Sequence, residues 1–213
     1  MSFSSLPMSS NYNSKTILKK IASQRGFGLI ELLVSISIIA LVSAVIMTKQ
    51  SAFNGAVLLR NQAYEVAFDL RQAQLLAVSG TDNGATNVSQ QYGVYFTTAS
   101  RNSYIIFHDI DGDGMYDAGE QIGKTGIIDS RFQIRNLSYI NNAGNNISEI
   151  YLHATFKRPN FDGIFRRGIG NGVPLIGSTV YIDIAKVGDN NNGAGDVRRI
   201  EITSTGQISV VTY

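Results

Sequence analysis

Apolar residues dominate the chain from Phe27 to Met47, and Glu31 is the one charged side chain in that run. A helix of this length rises about 1.5 Å per residue, which comes to roughly the 30 Å of a bilayer's hydrocarbon core. The run therefore predicts a membrane-spanning helix. Because an ionised carboxylate in lipid is energetically costly, Glu31 is expected to have a function and a partner.

A helical pattern continues beyond the apolar run. Apolar residues recur at alternating spacings of four and three, which is typical of one face of an amphipathic helix. They are Leu59, Ala63, Val66, Leu70, Ala73 and Ala77. We predict one helix from about Phe27 to Val78, with Gly80 as its stop. Since glycine in a helix interior costs roughly 1 kcal/mol relative to alanine, a local break at Asn54–Gly55 is compatible with the sequence.

From residue 90 onward the pattern changes to short segments rich in β-branched and aromatic residues, separated by glycine and asparagine. The predicted strands cover residues 92–97, 103–107, 121–128, 132–138, 149–156, 178–186, 197–204 and 207–211. A helix followed by a run of strands is the order of an α+β domain. We therefore predict an α+β fold in which the outer half of the long N-terminal helix packs on an antiparallel β-sheet domain.

Charge and cysteine content limit which functions and which means of stabilisation fit the chain. Lys15, Lys19, Lys20 and Arg25 precede the apolar run, and no acidic residue lies among residues 1–30, which predicts a cytoplasmic N-terminal segment. Removing these four of the 18 basic residues leaves 14 against 16 acidic ones, a formal charge of −2. This net charge excludes a protein that binds nucleic acid through an overall excess of positive charge. The chain has no cysteine, so an exported domain must rely on its core, and on a metal where one binds.

The residues around Gly26 carry a more specific signal. The segment Arg-Gly-Phe-Gly-Leu-Ile-Glu-Leu-Leu-Val, residues 25–34, resembles the N-terminus of type IV prepilins. The resemblance implies that prepilin peptidase removes a basic leader, residues 1–26, and that the new amino group of Phe27 is N-methylated. It also implies that Glu31 pairs with the N-terminal amine of a neighbouring subunit, since buried charges become tolerable when paired in good geometry.

The same resemblance divides the mature chain. Residues 27–47 would form the helix that leaves the inner membrane for the filament core, residues 48–80 its amphipathic outer half, and residues 81–213 the β-rich domain of a pilin fold. The alanine-rich outer helix and the closing hairpin Thr205-Gly206-Gln207-Ile208 resemble minor pseudopilins of the GspH and FimT type.

This resemblance implies a structural, non-enzymatic subunit of a type IV pilus or a type II secretion pseudopilus. Its partners would be prepilin peptidase and the other pilins or pseudopilins of the filament. It would lie in the cytoplasmic membrane before assembly and outside that membrane, extracellular or periplasmic, afterwards. The sequence does not separate a pilus from a secretion pseudopilus, but the absence of the cysteine pair found in many major pilins favours a minor subunit.

A second motif spans residues 109–120, Asp-Ile-Asp-Gly-Asp-Gly-Met-Tyr-Asp-Ala-Gly-Glu. It fits the twelve-residue calcium loop at every liganding position, with Gly114 at the sharp turn. The predicted ligands are Asp109, Asp111, Asp113, the carbonyl of Met115, Asp117 and Glu120. Five carboxylates this close repel one another without a cation. Because a strand enters the loop and no helical pattern follows it, we predict a structural calcium ion; a solvated acidic turn without metal is the alternative.

Other functions remain open on the sequence. An ordinary secretory signal, with Val42-Ser43-Ala44 as a small-residue cleavage site, or a plain signal anchor would give an exported calcium-binding module outside any filament. Some FimT-type pilins take part in DNA uptake through cationic residues. The candidates here are Lys157, Arg158, Arg166, Arg167, Arg198 and Arg199. Arg198 and Arg199 are expected on opposite faces of one strand, which argues against a joint patch.

Catalysis has little support in the sequence. The chain has only two histidines, His108 and His153, and no nucleophile-elbow or zinc-ligand spacing. His108 is expected to be exposed at a strand end, and His153 on the polar face of a strand. The segment Phe161–Phe165 fits either an exposed contact for a neighbouring subunit or part of the core.

Overall fold

A computed structural model of the chain describes residues 26–79, 91–157, 159–170, 172–188 and 197–212, with side chains described except at 49–53. The predicted leader up to residue 25, the predicted helix stop at Gly80 and the candidate Arg158 lie outside these residues. Two compact units can be distinguished, Met1–Gln50 and Ser51–Tyr213. The described elements confirm the predicted α+β order of one long helix followed by antiparallel strands.

Helix α1 covers Leu29–Ser79. It begins after Gly28, whose carbonyl oxygen accepts the N–H groups of Glu31 and Leu32 at 3.0 and 3.2 Å. The sequence allowed a local break at Asn54–Gly55, but both residues are helical and the predicted single helix is continuous there. One glycine costs only about 1 kcal/mol in a helix, and burial of Leu59 one turn further on fixes the helical backbone there.

The predicted stripe on the outer half of α1 is confirmed, since all six of its residues are buried. Half of them are alanines, whose small side chains let the helix backbone approach the sheets closely. Polar side chains border this face: the Tyr104 hydroxyl donates to Asp69 Oδ2 at 2.5 Å. Burial, then this hydrogen bond, raises the pKa of Tyr104, so the phenol stays protonated as the donor.

The strands of the second unit form two antiparallel sheets. The strands are β1 Gln91–Thr97, β2 Ser103–Asp109, β3 Gly126–Ile127, β4 Phe132–Ile140, β5 Asn146–Glu149, β6 Tyr151–Lys157, β7 Gly163–Arg167, β8 Val173–Pro174, β9 Val180–Lys186, β10 Val197–Ile202 and β11 Ile208–Thr212. The six-stranded sheet has the order β3-β2-β1-β6-β7-β8 and the five-stranded sheet the order β11-β10-β9-β4-β5. The main core combines the buried stripe of α1 with apolar residues from both sheets.

Several predicted strand boundaries need correction. Of the strand expected at 121–128, only Gly126–Ile127 is a strand, since Gly123 has a positive φ of 64° that ends extended structure. Strands β5, β7 and β8 were not predicted; β5 and β8 are short edge strands, which carry little apolar signal. The two ends of the segment Phe161–Phe165 differ: Phe165 is buried in the core, whereas Phe161 is 52% exposed.

The C-terminal hairpin β10–β11 is held by polar side chains of α1. Arg71 Nη2 donates to the Ile208 carbonyl oxygen at 3.0 Å. Gln74 Nε2 donates to the carbonyl oxygens of Gly206 and Phe161 at 2.9 and 2.8 Å. Gly206 has a φ of 80°, and a Cβ there would meet the Phe161 oxygen at 1.8 Å. Only glycine therefore fits this turn.

The outer face of the six-stranded sheet carries a second, smaller buried cluster. Strand register places Phe107, Gly93 and Thr155 side by side on the face opposite the main core. The segment that follows β2 folds back over this face: the Tyr116 ring lies 5.4 Å from the Tyr95 ring and 5.7 Å from the Phe107 ring. This covering segment is the predicted calcium loop, named the acidic loop (residues 109–120) below.

Candidate assembly segment and candidate calcium site

The N-terminal part of α1 has the length and composition of a membrane span. The segment Leu29–Thr48 is apolar enough to cross a bilayer, and its side chains are exposed. Glu31 lies in the first helical turn, and Gly26 and Phe27, the predicted processing residues, lie exposed just before the helix. The geometry thus places a carboxylate within about one helical turn of the predicted new N-terminus.

Three hydroxyl groups in this segment donate hydrogen bonds within the helix. Ser35 Oγ donates to the Glu31 carbonyl oxygen and Ser37 Oγ to that of Leu33, both at 2.7 Å. Thr48 Oγ1 donates to a carbonyl oxygen three residues earlier at 2.8 Å. Such bonds let a polar side chain lie in an apolar medium without an unpaired donor. Glu31 is the charged group of the segment, and its carboxylate needs a partner from elsewhere.

The outer half of α1 has an exposed apolar stripe that was not predicted from the sequence. It consists of Val57, Tyr64, Phe68 and Leu75, all exposed, with Phe68 65% and Leu75 62% accessible. Their spacings of seven, four and seven residues add to 18, which is five helical turns, so the four side chains lie in one line. The buried stripe lies about 200° around the helix axis. Large apolar side chains therefore occupy the face away from the core.

The carboxylates of the acidic loop form two overlapping groups. Asp109, Asp111 and Glu120 each offer an oxygen within 4.8 Å of the others, and so do Asp111, Asp113 and Asp117. Asp111 belongs to both groups, so the five predicted carboxylate ligands form two adjoining sets of three. The side chain of Met115, the predicted carbonyl ligand, is buried. This donor set of hard oxygens fits the chemistry of calcium.

Backbone N–H groups hold the first and last carboxylates of the loop. Asp109 Oδ1 and Oδ2 accept the N–H groups of Gly112 and Gly114 at 2.7 and 2.8 Å. Glu120 Oε1 and Oε2 accept those of Ile110 and Asp117 at 2.8 and 2.9 Å. Burial raises the pKa of Asp109 to about 6, against the lowering effect of the Gly114 and Gly112 N–H groups. The loop is thus closed on itself around its acidic groups.

His153 lies beneath the acidic loop, and the expectation that it occupies a polar strand face is wrong. It is buried, with its ring 4.7 Å from the Tyr95 ring. Its Nδ1 accepts the Tyr116 N–H at 3.0 Å, and burial lowers its pKa. The covering loop makes this sheet face internal, a long-range effect that local sequence does not show. His108 is partly buried and stacks on Tyr92 with ring centroids 4.5 Å apart.

The four arginines proposed for DNA contact lie in different sheets. Arg166 and Arg167 are in β7, whereas Arg198 and Arg199 are in β10. Arg167 Nη1 donates to Glu149 Oε1 at 2.6 Å.

The two arginines of β10 differ in their surroundings. Arg198 is only 9% exposed and is paired in register with the core residue Ile184. Arg199 is bound to Asp183. The register confirms that Arg198 and Arg199 point to opposite faces of β10. The two arginines of β7 and the two of β10 lie in different sheets. These positions disfavour a joint phosphate-binding patch.

The comparison with protein families bears on the N-terminal segment. A family model described as the prokaryotic N-terminal methylation motif matches residues 21–47. Neither curated proteins nor solved structures give a match to the chain. The motif supports a type IV pilin-like protein, and it implies processing by a prepilin peptidase and partners of the pilin type.

Proposed function

We propose that the protein is a structural minor subunit of a type IV pilus or a type II secretion pseudopilus. The observation that carries the proposal is the methylation motif over residues 21–47, placed at the start of an exposed apolar helix with Glu31 in its first turn. In this proposal, prepilin peptidase cleaves after Gly26, Phe27 is N-methylated, and Glu31 pairs with the N-terminal amine of a neighbouring subunit. The helix moves from the membrane into the filament core.

The exposed stripe on the outer half of α1 supports assembly beyond the membrane segment. A line of four apolar side chains, about 27 Å long at 1.5 Å per residue, is costly on a surface that stays in water. A neighbouring subunit in a filament would cover it. The stripe thus extends the proposed contact surface into the second unit of the chain.

The test is the intact mass and N-terminal peptide of the protein recovered from its native host. The expected chain begins at N-methylated Phe27. A chain that begins at Met1, or after Ala44, would overturn the proposal and leave an exported module with an ordinary anchor or signal. Recovery of the protein from sheared surface filaments, as against a periplasmic fraction, would separate a pilus from a secretion pseudopilus.

We also propose a structural calcium ion in the acidic loop. Its support is the two adjoining groups of carboxylates, joined by Asp111, within a loop that covers the outer face of the six-stranded sheet. The residues that would hold it are Asp109, Asp111, Asp113, the Met115 carbonyl, Asp117 and Glu120. Bound calcium would neutralise their repulsion and so stabilise the covering loop.

The calcium proposal is tested by thermal unfolding of the full chain in detergent micelles. Calcium at millimolar concentration is expected to raise the melting temperature, because a ligand that binds only the folded state stabilises it. Asp109→Ala combined with Asp113→Ala should abolish the increase. Asp129→Asn is the control, since that carboxylate lies on the surface and pairs with Arg131. An unchanged melting temperature of the wild-type chain would refute the calcium site.

A further inference from the structure

Side chains from two neighbouring strands connect the acidic loop to the turn between β7 and β8, of which the structure describes residues 168–170 and 172. His153 in β6 makes the first connection. Because its Nδ1 accepts the Tyr116 N–H at 3.0 Å, its Nε2 carries the proton and donates to the Gly168 carbonyl oxygen at 3.1 Å. One neutral imidazole therefore bridges the centre of the acidic loop and the first residue of the turn.

Arg166 in β7 makes the second connection. Its Nη1 donates to the Gly172 carbonyl oxygen at 3.3 Å. Its Nε lies against Gly114, where a Cβ would come within 2.9 Å of that nitrogen. The guanidinium stem therefore fills the space between the sharp turn of the acidic loop and the end of the β7–β8 turn.

Met115 makes the third connection by packing. A Cβ added to Gly172 would meet the Met115 sulfur at 2.2 Å, so the thioether lies directly on the glycine backbone. All three connections reach the middle of the acidic loop, residues 114–116. This is the part of the loop enclosed by its first and last carboxylates.

The turn and strand β8, described at residues 168–170 and 172–174 and named the β8 segment below, have little else to order them, whereas β7 is fixed by its pairing with β6 and by the buried Phe165. Strand β8 has two residues, pairs only with β7 among the described strands, and forms the edge of its sheet. Leu175, which is buried in the main core, follows the segment and donates its N–H to the Phe165 carbonyl oxygen at 2.8 Å. Ile169 and Val173 are 68% and 51% exposed. An element with few buried contacts and an exposed backbone opens easily unless its neighbours hold it.

We propose that the acidic loop and the β8 segment open and close as one cooperative unit, so that calcium bound by the loop also orders the β8 segment. This inference rests on the calcium site proposed above. When the loop is closed, His153, Arg166 and Met115 hold Gly168 and Gly172. When it opens, the same three side chains lose their contacts at both ends. Calcium would therefore set the arrangement of Ile169 and Val173 at a distance from its own ligands.

Hydrogen exchange of the full chain in detergent micelles tests the inference, with calcium compared against chelator plus magnesium. Calcium should slow amide exchange by about fivefold or more in peptides from both the acidic loop and residues 163–175. Peptides from β10 and β11, in the other sheet, serve as the internal control and should not change. Slower exchange in the loop alone would overturn the coupling and leave the calcium site intact.

A matched pair of variants tests the coupling without calcium. Arg166→Ala should increase exchange in the acidic loop by about fivefold, the effect of losing about 1 kcal/mol. Arg167→Ala, the next residue on the strand, pairs with Glu149 instead and should leave the loop unchanged. Equal effects of the two variants on the loop would refute the coupling. Failure of calcium to protect any peptide, with a positive result here, would refute only the cation's part in it.

Discussion

Arg199 and Asp183 face each other across strands β10 and β9, and the guanidinium Nε and Nη2 donate to the two carboxylate oxygens at 2.7 and 2.8 Å. The pair is largely buried, and the guanidinium also lies 4.5 Å over the Tyr181 ring. Two-point geometry of this kind makes a strong charge-assisted pair. The guanidinium of Arg199, bound in this way to Asp183, therefore has a structural role.

We predict that Arg199→Ala lowers the free energy of unfolding by about 1–3 kcal/mol, the usual range for a hydrogen bond to a charged group. Asp183→Asn should cost a similar amount. Denaturant unfolding of both variants and the double variant measures their coupling. Strictly additive losses would mean that the two side chains do not act as a pair.

The Arg199–Asp183 pair also affects what is expected for the binding of duplex DNA. With Arg167 and Arg199 in ion pairs and Arg198 buried, we predict weak binding that does not depend on these arginines. A gel shift at low salt measures it, comparing the wild-type chain with Arg167→Ala and Arg199→Ala. Tight, salt-dependent binding that either substitution removes would contradict the prediction.

Glu31 is predicted to act in assembly and not in membrane insertion. Glu31→Gln should leave the protein in the membrane, because it removes a charge from an apolar helix, but should exclude it from filaments by removing the partner of the N-terminal amine. The fraction of the protein in sheared filaments measures the effect. Ser35→Ala, about one turn further along the same exposed helix, is the matched control. Filament incorporation of Glu31→Gln at the wild-type level would disprove the role.

The exposed stripe of α1 makes a separate prediction about assembly. Phe68→Glu should reduce filament incorporation while changing stability by less than about 0.5 kcal/mol, as surface substitutions usually do. Gln72→Glu places the same charge one turn away, at an exposed polar position beside the stripe on the same face of the helix. A loss of incorporation in both variants would point to charge alone and not to the apolar contact.

Gly114 is predicted to be the most sensitive position of the acidic loop. Its φ of 81° disfavours a side chain, and a Cβ would also press on Arg166. Gly114→Ala should therefore cost about 1–3 kcal/mol and weaken the response to calcium. Gly123→Ala is the control, because φ there is 64° but no atom lies within 4 Å of the added Cβ. Thermal unfolding of both with and without calcium measures the difference.

Helix α1 and most strands could be predicted because their signal is local. The spacing from Leu59 to Ala77 repeats with the helical period, and the segments around Val94, Ile182 and Ile200 alternate or are rich in β-branched residues. The acidic loop was also visible, since its five carboxylates lie within twelve residues. Whether a cation binds there is a question of affinity, which the spacing of residues does not determine.

The surroundings of the acidic loop could not be predicted for a physical reason. His153 lies 37 residues from Tyr116 and 15 from Gly168, the two groups it bridges. Only the pairing of β6 with β1 and β7 brings it under the loop. Strand β7 was missed because Gly163 and two arginines surround its one core phenylalanine, a composition that favours a surface turn.

The hydrogen bonds from Arg71 and Gln74 to the C-terminal hairpin join residues 137 and 132 positions apart. Because the ribosome makes the chain from its N-terminus, the helix is synthesised well before the hairpin. Contacts between such distant residues form only after the intervening chain is free to close. Until the hairpin is made, the buried face of α1 therefore lacks part of its cover. A membrane-spanning Leu29–Thr48 would hold such an incompletely folded chain at the bilayer surface and apart from other unfolded copies.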